Sequence, residues 1–387
     1  MINITDKQCC CGCHACYSSC PQKCISMQSD FEGFWYPVVD LERCTDCGLC
    51  EKVCPVLCKN TVDNHPLAYA CMNKDDKIRK QSSSGGVFTV IAESVITNHG
   101  VVFGAGFDGE FNVVHSWTDR LDGLSNFRGS KYVQSCIGDT YKQTRDFLKQ
   151  GRKVLFSGTP CQVAGLRSYL GKDYEALICL DIICHGVPSP KVFGKYRAEL
   201  EHRYGAKARR IAFRRKDCGW KLYSVALSFD NATEYRETLT TDLFMKGFLQ
   251  NIYLRPSCYK CSFKTINRQS DMTLADFWGI QNVLPSFDDD RGTSLILVNS
   301  SKGNAIFSSV ADKVDFEKVD IDQALIYNPS AIKSVDYNPK RAQFFKELAA
   351  SEDIKQLIAK YTRVSFSRKV YMKMRTLLSR MKRVFLE

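Results

Sequence analysis

Cys10-Cys11-Gly12-Cys13-His14-Ala15-Cys16-Tyr17-Ser18-Ser19-Cys20-Pro21 is answered further along by Cys44-Thr45-Asp46-Cys47-Gly48-Leu49-Cys50-Glu51-Lys52-Val53-Cys54-Pro55, offset by 34 residues. Both stretches read C-x2-C-x2-C-x3-C-P. Three thiols two residues apart on a tight loop can serve one site. The fourth, ahead of a proline, turns away towards the other site. The repeat therefore predicts a pseudo-twofold unit over residues 1–60. One site takes Cys10, Cys13, Cys16 and Cys54, and the other takes Cys44, Cys47, Cys50 and Cys20. Gly12, Ala15 and Gly48 between the thiols let backbone amides come close to sulfur.

This spacing is that of a ferredoxin-like domain with two [4Fe-4S] clusters, each of which moves one electron at a time. Zinc sites use two pairs of ligands rather than a triplet plus one, and a disulfide framework does not call for the triplet. Cys9, Cys11, Cys24 and Cys58 fall outside the pattern and read as small apolar packing residues.

The chain has 387 residues, of which 44% are hydrophobic and 11% aromatic, so one or two further domains of ordinary size follow the cluster unit. MINITDKQCC has neither the basic nor the apolar region of a secretory signal. No 18-residue apolar run suggests a membrane span. Twenty cysteines in such a chain argue for metal ligation in a reducing compartment, the cytoplasm. The net charge is +12, but residues 361–387 carry eight Lys/Arg against one Glu. The remainder is only mildly basic, which argues against a nucleic-acid partner.

After a polar linker at residues 60–66, helical and strand patterns alternate. Helices are expected at 87–97, 140–149, 162–170, 192–204 and 243–249. Strands are expected at 101–107, 113–117, 154–157, 177–184, 211–213, 225–229, 234–239, 272–277 and 295–299. The predicted fold class is α+β: the two-cluster domain, an α/β body over 66–327 with a mixed sheet, then a hinge and basic helical tail over 328–387. In the tail, Val370, Met374, Leu377, Leu378, Met381, Val384 and Phe385 recur at helical spacing, with Arg368, Lys373, Arg380 and Arg383 mostly elsewhere on the wheel. That stripe suits either a helix docked on the body or peripheral contact with the inner membrane surface.

Several loops carry chemistry. Ser82-Ser83-Ser84-Gly85-Gly86 precedes a helix and suits an anion such as phosphate. Gly129-Ser130-Lys131-Tyr132 offers a cation beside an aromatic ring. Gly158-Thr159-Pro160-Cys161-Gln162 and Cys184-His185-Gly186 leave buried strands, where α/β folds place ligands. Cys161, Cys184, Cys258 and Cys261 could gather as a third cluster, a zinc site or a thiol pair. A nominal G-x-G-x-x-G at Gly104, Gly106 and Gly109 runs from one strand into another and reads as a hairpin, not a dinucleotide fingerprint.

Taken in order with Asp276-Phe277-Trp278-Gly279, these motifs resemble the coenzyme F420 hydrogenase and dehydrogenase beta-subunit family fused to a two-cluster ferredoxin, from about Cys10 to Gly303. The resemblance implies two family subregions in the body, with a break near 175–190, and FAD held beside the clusters. Ser83, Ser84, Gly85 and Gly86 would lie by its phosphates. Ser130, Lys131, Tyr132, Gly158 and Thr159 would lie by the flavin, and Asp276 near the ring or the third metal site. His185 and Lys131 are candidate catalytic residues. The implied role is an FAD and iron–sulfur oxidoreductase with an organic acceptor, fed by a redox partner protein or reduced ferredoxin. The alternative is a non-catalytic subunit handing electrons to a partner, in surface-polysaccharide biosynthesis for example.

Overall fold

A computed structural model describes residues 1–363, so the predicted tail helix lies outside the described residues. Near the N-terminus, β1 (Ile25–Ser29) and β2 (Trp35–Val39) form an antiparallel hairpin, registered from Ile25 against Val39 to Ser29 against Trp35. The sequence repeat survives in the backbone. His14 and Gly48, also 34 positions apart, both take the left-handed conformation (φ 64° and 72°), and each starts a short helix, Ala15–Ser19 and Leu49–Lys52.

The body is built on one mixed eight-stranded sheet. Its strands are β3 (Leu67–Asn73), β4 (Val101–Phe107), β5 (Val113–Thr118), β6 (Val154–Gly158), β7 (Leu177–Ile182), β11 (Met272–Asp276), β12 (Ser294–Val298) and β13 (Val314–Val319), in the order β13-β3-β12-β11-β7-β6-β4-β5. The central four, β11, β7, β6 and β4, are parallel. The outer strands pair antiparallel. Helices Val87–Thr97 and Ser301–Ser308 contribute to the core on one side, helices Thr140–Lys149 and Pro160–Leu170 to a second core. Between β7 and β11 the chain makes a separate antiparallel sheet, β8 (Ala208–Arg215), β9 (Ser224–Phe229) and β10 (Glu234–Thr238), in the order β10-β9-β8.

The predicted alternation is present, with two differences. The turn-rich segment near 328–339 leads, as expected, into helices, Arg341–Leu348 and Ile354–Thr362, and these pack on the body. Phe344, Phe345, Leu348, Ile354, Leu357, Ile358 and Tyr361 belong to the same core as the small sheet. Strands β3 and β13 were not legible: β3 lacks β-branched residues, and β13 shows a single buried residue, Val314, at its start. Cys9 and Cys58 are exposed rather than packed. Gly104 and Gly106 lie on β4 and Gly109 in the turn to antiparallel β5, which is a hairpin as expected. Among the described residues no helix is long and apolar enough to cross a membrane.

The β1–β2 turn docks the cluster unit on the body. Arg341 forms a two-pronged pair with Glu32 at 2.8 and 2.5 Å, both side chains nearly inaccessible. Ser189 donates to the Glu32 carbonyl, and Lys191 to that of Phe31 at 3.0 Å.

Candidate functional site

The cysteines surround three voids. The wall of one, about 20 Å³, includes Cys10, Cys13, Cys16 and Cys54. A second of about the same size has Cys44, Cys47, Cys50 and Cys20 in its wall, the crossed grouping expected from the repeat, together with Cys24. Ile2 N–H donates to Cys50 Sγ at 3.2 Å. Among the described residues no three His, Cys, Asp or Glu side chains converge as ligands of a single ion. The thiols stand around spaces instead.

A third void, about 40 Å³, lies where the two units meet, and its wall includes Cys161, Cys184, Cys258 and Cys261. They arrive by three routes. Cys161 opens helix Pro160–Leu170 after β6, Cys184 follows β7, and Cys258 and Cys261 flank the end of a 3-10 turn, Pro256–Lys260. Cys11, read from sequence as packing, is a fifth thiol in this wall. Burial pushes the Cys184 thiol up to about 12.

Beyond the third void opens a cleft of about 650 Å³ at the C-terminal ends of the parallel strands. Ligands of open α/β sheets bind at such ends. The cleft gathers most of the loops singled out from sequence. Ser83 Oγ accepts from Ser130 N at 2.7 Å and Ser130 Oγ at 2.9 Å, which ties the first loop to the second. Gly86 (φ 85°) caps helix Val87–Thr97, and Val87, Phe88 and Thr89 of its first turn line the cleft. Lys131 Nζ donates to the carbonyls of Asn126 (2.8 Å) and Arg128 (3.2 Å), and burial lowers its pKa to about 7. Thr159 starts its helix in a capping box with Gln162, which leaves Gly158 and Thr159 facing the space. The His185 ring stands 2.7 Å from Asn251 Oδ1 and edge-on to Phe248, and burial lowers its pKa.

Two expected residues are differently employed. Gly85 is behind the wall: its N–H donates to Ser294 Oγ at 3.0 Å and its carbonyl accepts from Asn73 N at 2.8 Å. Asp276 lines the cleft but is held by Arg214 and by Trp220 Nε1 at 3.0 Å, away from the third void. Sequence reasoning missed Asp181, Arg214 and Tyr223, which also line the cleft. Asp181 is 1% exposed, and neither carboxylate oxygen completes a hydrogen bond, although Arg268 Nη1 stands 3.7 Å away. Burial raises its pKa. Arg214 lies over the rings of Tyr223 and Trp278 at 4.3 and 5.2 Å. No periodicity marks such residues; they become neighbours only when β7, β8, β9 and β11 assemble.

The spaces form a row. The first cysteine void and the third share Cys11 and Val56. The third void and the cleft share Thr159, Cys184, His185, Gly186, Val187 and Ser330. The Cys44–Cys50 void adjoins the first through the packed cluster of Ile2, Cys16, Cys20, Cys50 and Cys54.

Thiol cages in one domain joined to an α/β body define an iron–sulfur oxidoreductase-like subunit. Residues 151–324 match the family described as the C terminus of the coenzyme F420 hydrogenase/dehydrogenase beta subunit, and residues 35–56 match a 4Fe-4S binding domain. Among solved structures, it is similar to a chain of the F420-reducing [NiFe] hydrogenase complex from Methanosarcina barkeri, in a xenon derivative. Identity is 16% and TM-score 0.45, with 76% of this chain and 91% of that one covered. No curated protein matches the chain.

Proposed function

We propose that the protein is an FAD-dependent iron–sulfur oxidoreductase that carries electrons between a redox partner protein and an organic acceptor. The observation that carries this reading is the row of spaces, three walled by cysteines and the last a large cleft, each adjoining the next. Cys10, Cys13, Cys16 and Cys54 would hold one [4Fe-4S] cluster, Cys44, Cys47, Cys50 and Cys20 the second, and Cys161, Cys184, Cys258 and Cys261 a third. The donor sets fit, because the four thiols assigned to each cluster line one void together. FAD fits the cleft, whose walls offer hydroxyls, glycines, an open helix N-terminus and aromatic faces. When bound, a flavin joins the single-electron chemistry of clusters to the two-electron chemistry of organic substrates.

The residues around these groups have definable tasks. The first turn of helix Val87–Thr97 would face the FAD pyrophosphate with its free N–H groups. Asp181, buried with Arg268 Nη1 3.7 Å away and its carboxyl pKa raised by burial, would face the cleft as a candidate proton-handling group. At the far end of the row Cys47 is exposed and is followed by exposed Leu49, a surface suited to an electron-donating partner. Purification without oxygen tests the proposal. The expected protein carries about twelve irons, as three four-iron clusters require, binds FAD, and is bleached by a low-potential donor. Fully metallated protein that takes up no flavin would overturn it.

A further inference from the structure

Arg255 is a buried cation whose hydrogen bonds all go to uncharged protein groups. It is 0% exposed, and no carboxylate among those residues pairs with it. Its Nε donates to the Cys10 carbonyl at 2.8 Å, Nη1 to Gln134 Oε1 at 3.1 Å, and Nη2 to the Trp35 carbonyl at 3.0 Å and to Cys10 Sγ at 3.5 Å. The guanidinium lies 4.2 Å from the centre of the Tyr36 ring. Gly12 makes room for it, since a Cβ there would stand 2.9 Å from Arg255 Nη1. From the other side Arg255 lines the third cysteine void, and its carbonyl accepts from Cys258 N at 2.9 Å.

A guanidinium does not shed its proton, and a buried cation without a counter-ion is costly. All the oxygens it meets are neutral, and the thiols that wall the two voids around it are its remaining neighbours. A thiolate-ligated cluster at Cys10, with its net negative charge, would supply the missing counter-ion. Resting on the cluster assignment proposed above, we infer that Arg255 sets the potential of the first cluster, through its hydrogen bond to Cys10 Sγ and its buried charge. Reduction adds one electron and one negative charge to that cluster. Arg255 stabilises the added charge and takes up no proton, so the potential rises relative to a site without it. The cluster at Cys10 becomes the favoured resting place for an electron on its way to the third void.

The test is an anaerobic redox titration of the full-length protein followed by electron paramagnetic resonance, with iron assayed on the same samples. Arg255→Gln should lower the midpoint of one cluster so that its reduced-to-oxidised ratio at fixed potential falls at least tenfold, or 59 mV for one electron. The other midpoints should move less, and iron should stay at the wild-type value. Gln134→Glu serves where Arg255→Gln does not fold: its carboxylate would neutralise the guanidinium in place and shift the same midpoint in the same direction. Unchanged midpoints in a fully metallated variant would overturn the inference, as would loss of about four irons from both variants, which would mark Arg255 as structural only. Wild-type protein without cluster signals would instead sink the cluster assignment itself, so the two failures are distinguishable.

Discussion

Gly85→Ala separates the phosphate loop from everything else the cleft does. A Cβ at residue 85 would stand 2.4 Å from the Cys71 carbonyl oxygen, 2.8 Å from Ser294 N and 2.9 Å from Ser294 Oγ. Cys71 and Ser294 are paired with each other across β3 and β12, inside the main sheet, so neither backbone can yield. Ordinary contact begins at 3.4 Å, and the loop must withdraw by about 1 Å. Withdrawal breaks the bonds from Asn73 N to Gly85 O and from Gly85 N to Ser294 Oγ. Two hydrogen bonds at about 1 kcal/mol each and an overpacking cost of about 1 kcal/mol or more sum to about 3 kcal/mol. The same shift carries Ser84 and Gly86 away from the cleft wall, and losing one charge-assisted hydrogen bond to phosphate costs about 1.5 kcal/mol or more. FAD affinity should then fall about tenfold or more. Anaerobic fluorescence titration with FAD, with iron content and thermal melting measured on the same protein, reads both effects. Gly86→Ala is the milder comparison: it is strained by its φ of 85°, a cost of about 1–2 kcal/mol, but its nearest neighbour is 3.2 Å away. A Gly85→Ala protein that melts lower yet binds FAD with wild-type affinity would refute the assignment of this loop to the phosphates.

Further tests address the clusters, the domain contact and pH. Cys47→Ser should remove about four irons as a ligand loss does, whereas Cys58→Ser should remove none; equal losses would void the ligand sets. Glu32→Gln strands the buried Arg341 charge and should cost about 3 kcal/mol, read as a lower thermal midpoint. Replacing both residues with apolar side chains should restore much of it, and an unchanged midpoint in Glu32→Gln would show that the pair does not bear on stability. His115 Nε2 lies 3.0 Å from the Ser157 carbonyl, and burial holds its pKa at about 4 against 6.5 in the unfolded chain. The unfolded state therefore binds the proton first. His115 contributes fully above pH 6.5, and the contribution falls away as pH drops towards 4. Between pH 7 and pH 5 the protein should lose about 2 kcal/mol more stability than a His115→Asn variant, measured by denaturant unfolding; equal slopes would contradict this.

The sequence alone determined what depends on short-range order. The cysteine repeat specified the ferredoxin-like unit and the crossed grouping of its thiols around two voids, because two residues between cysteines leave the chain little choice of geometry. The helix over 87–97 and the β4–β5 hairpin were legible for the same reason, as capping and turn signals act over a few residues. The loops at 82–86, 158–161 and 184–186 were legible as strand or helix ends, and 129–132 as a loop. That they meet in one cleft follows only from the order β11-β7-β6-β4, in which β7 (from Leu177) lies beside β11 (from Met272) although the whole small sheet intervenes in the chain. The third void needed more still, since Cys11 reaches it from the first unit and Cys258 and Cys261 from beyond the small sheet. Gly85, Asp181 and Arg255 lay beyond any local reading. A glycine that spares a collision, a buried carboxylate without a hydrogen bond and a cation without a carboxylate are defined by what surrounds them, and those surroundings come from long-range packing rather than from neighbours along the chain.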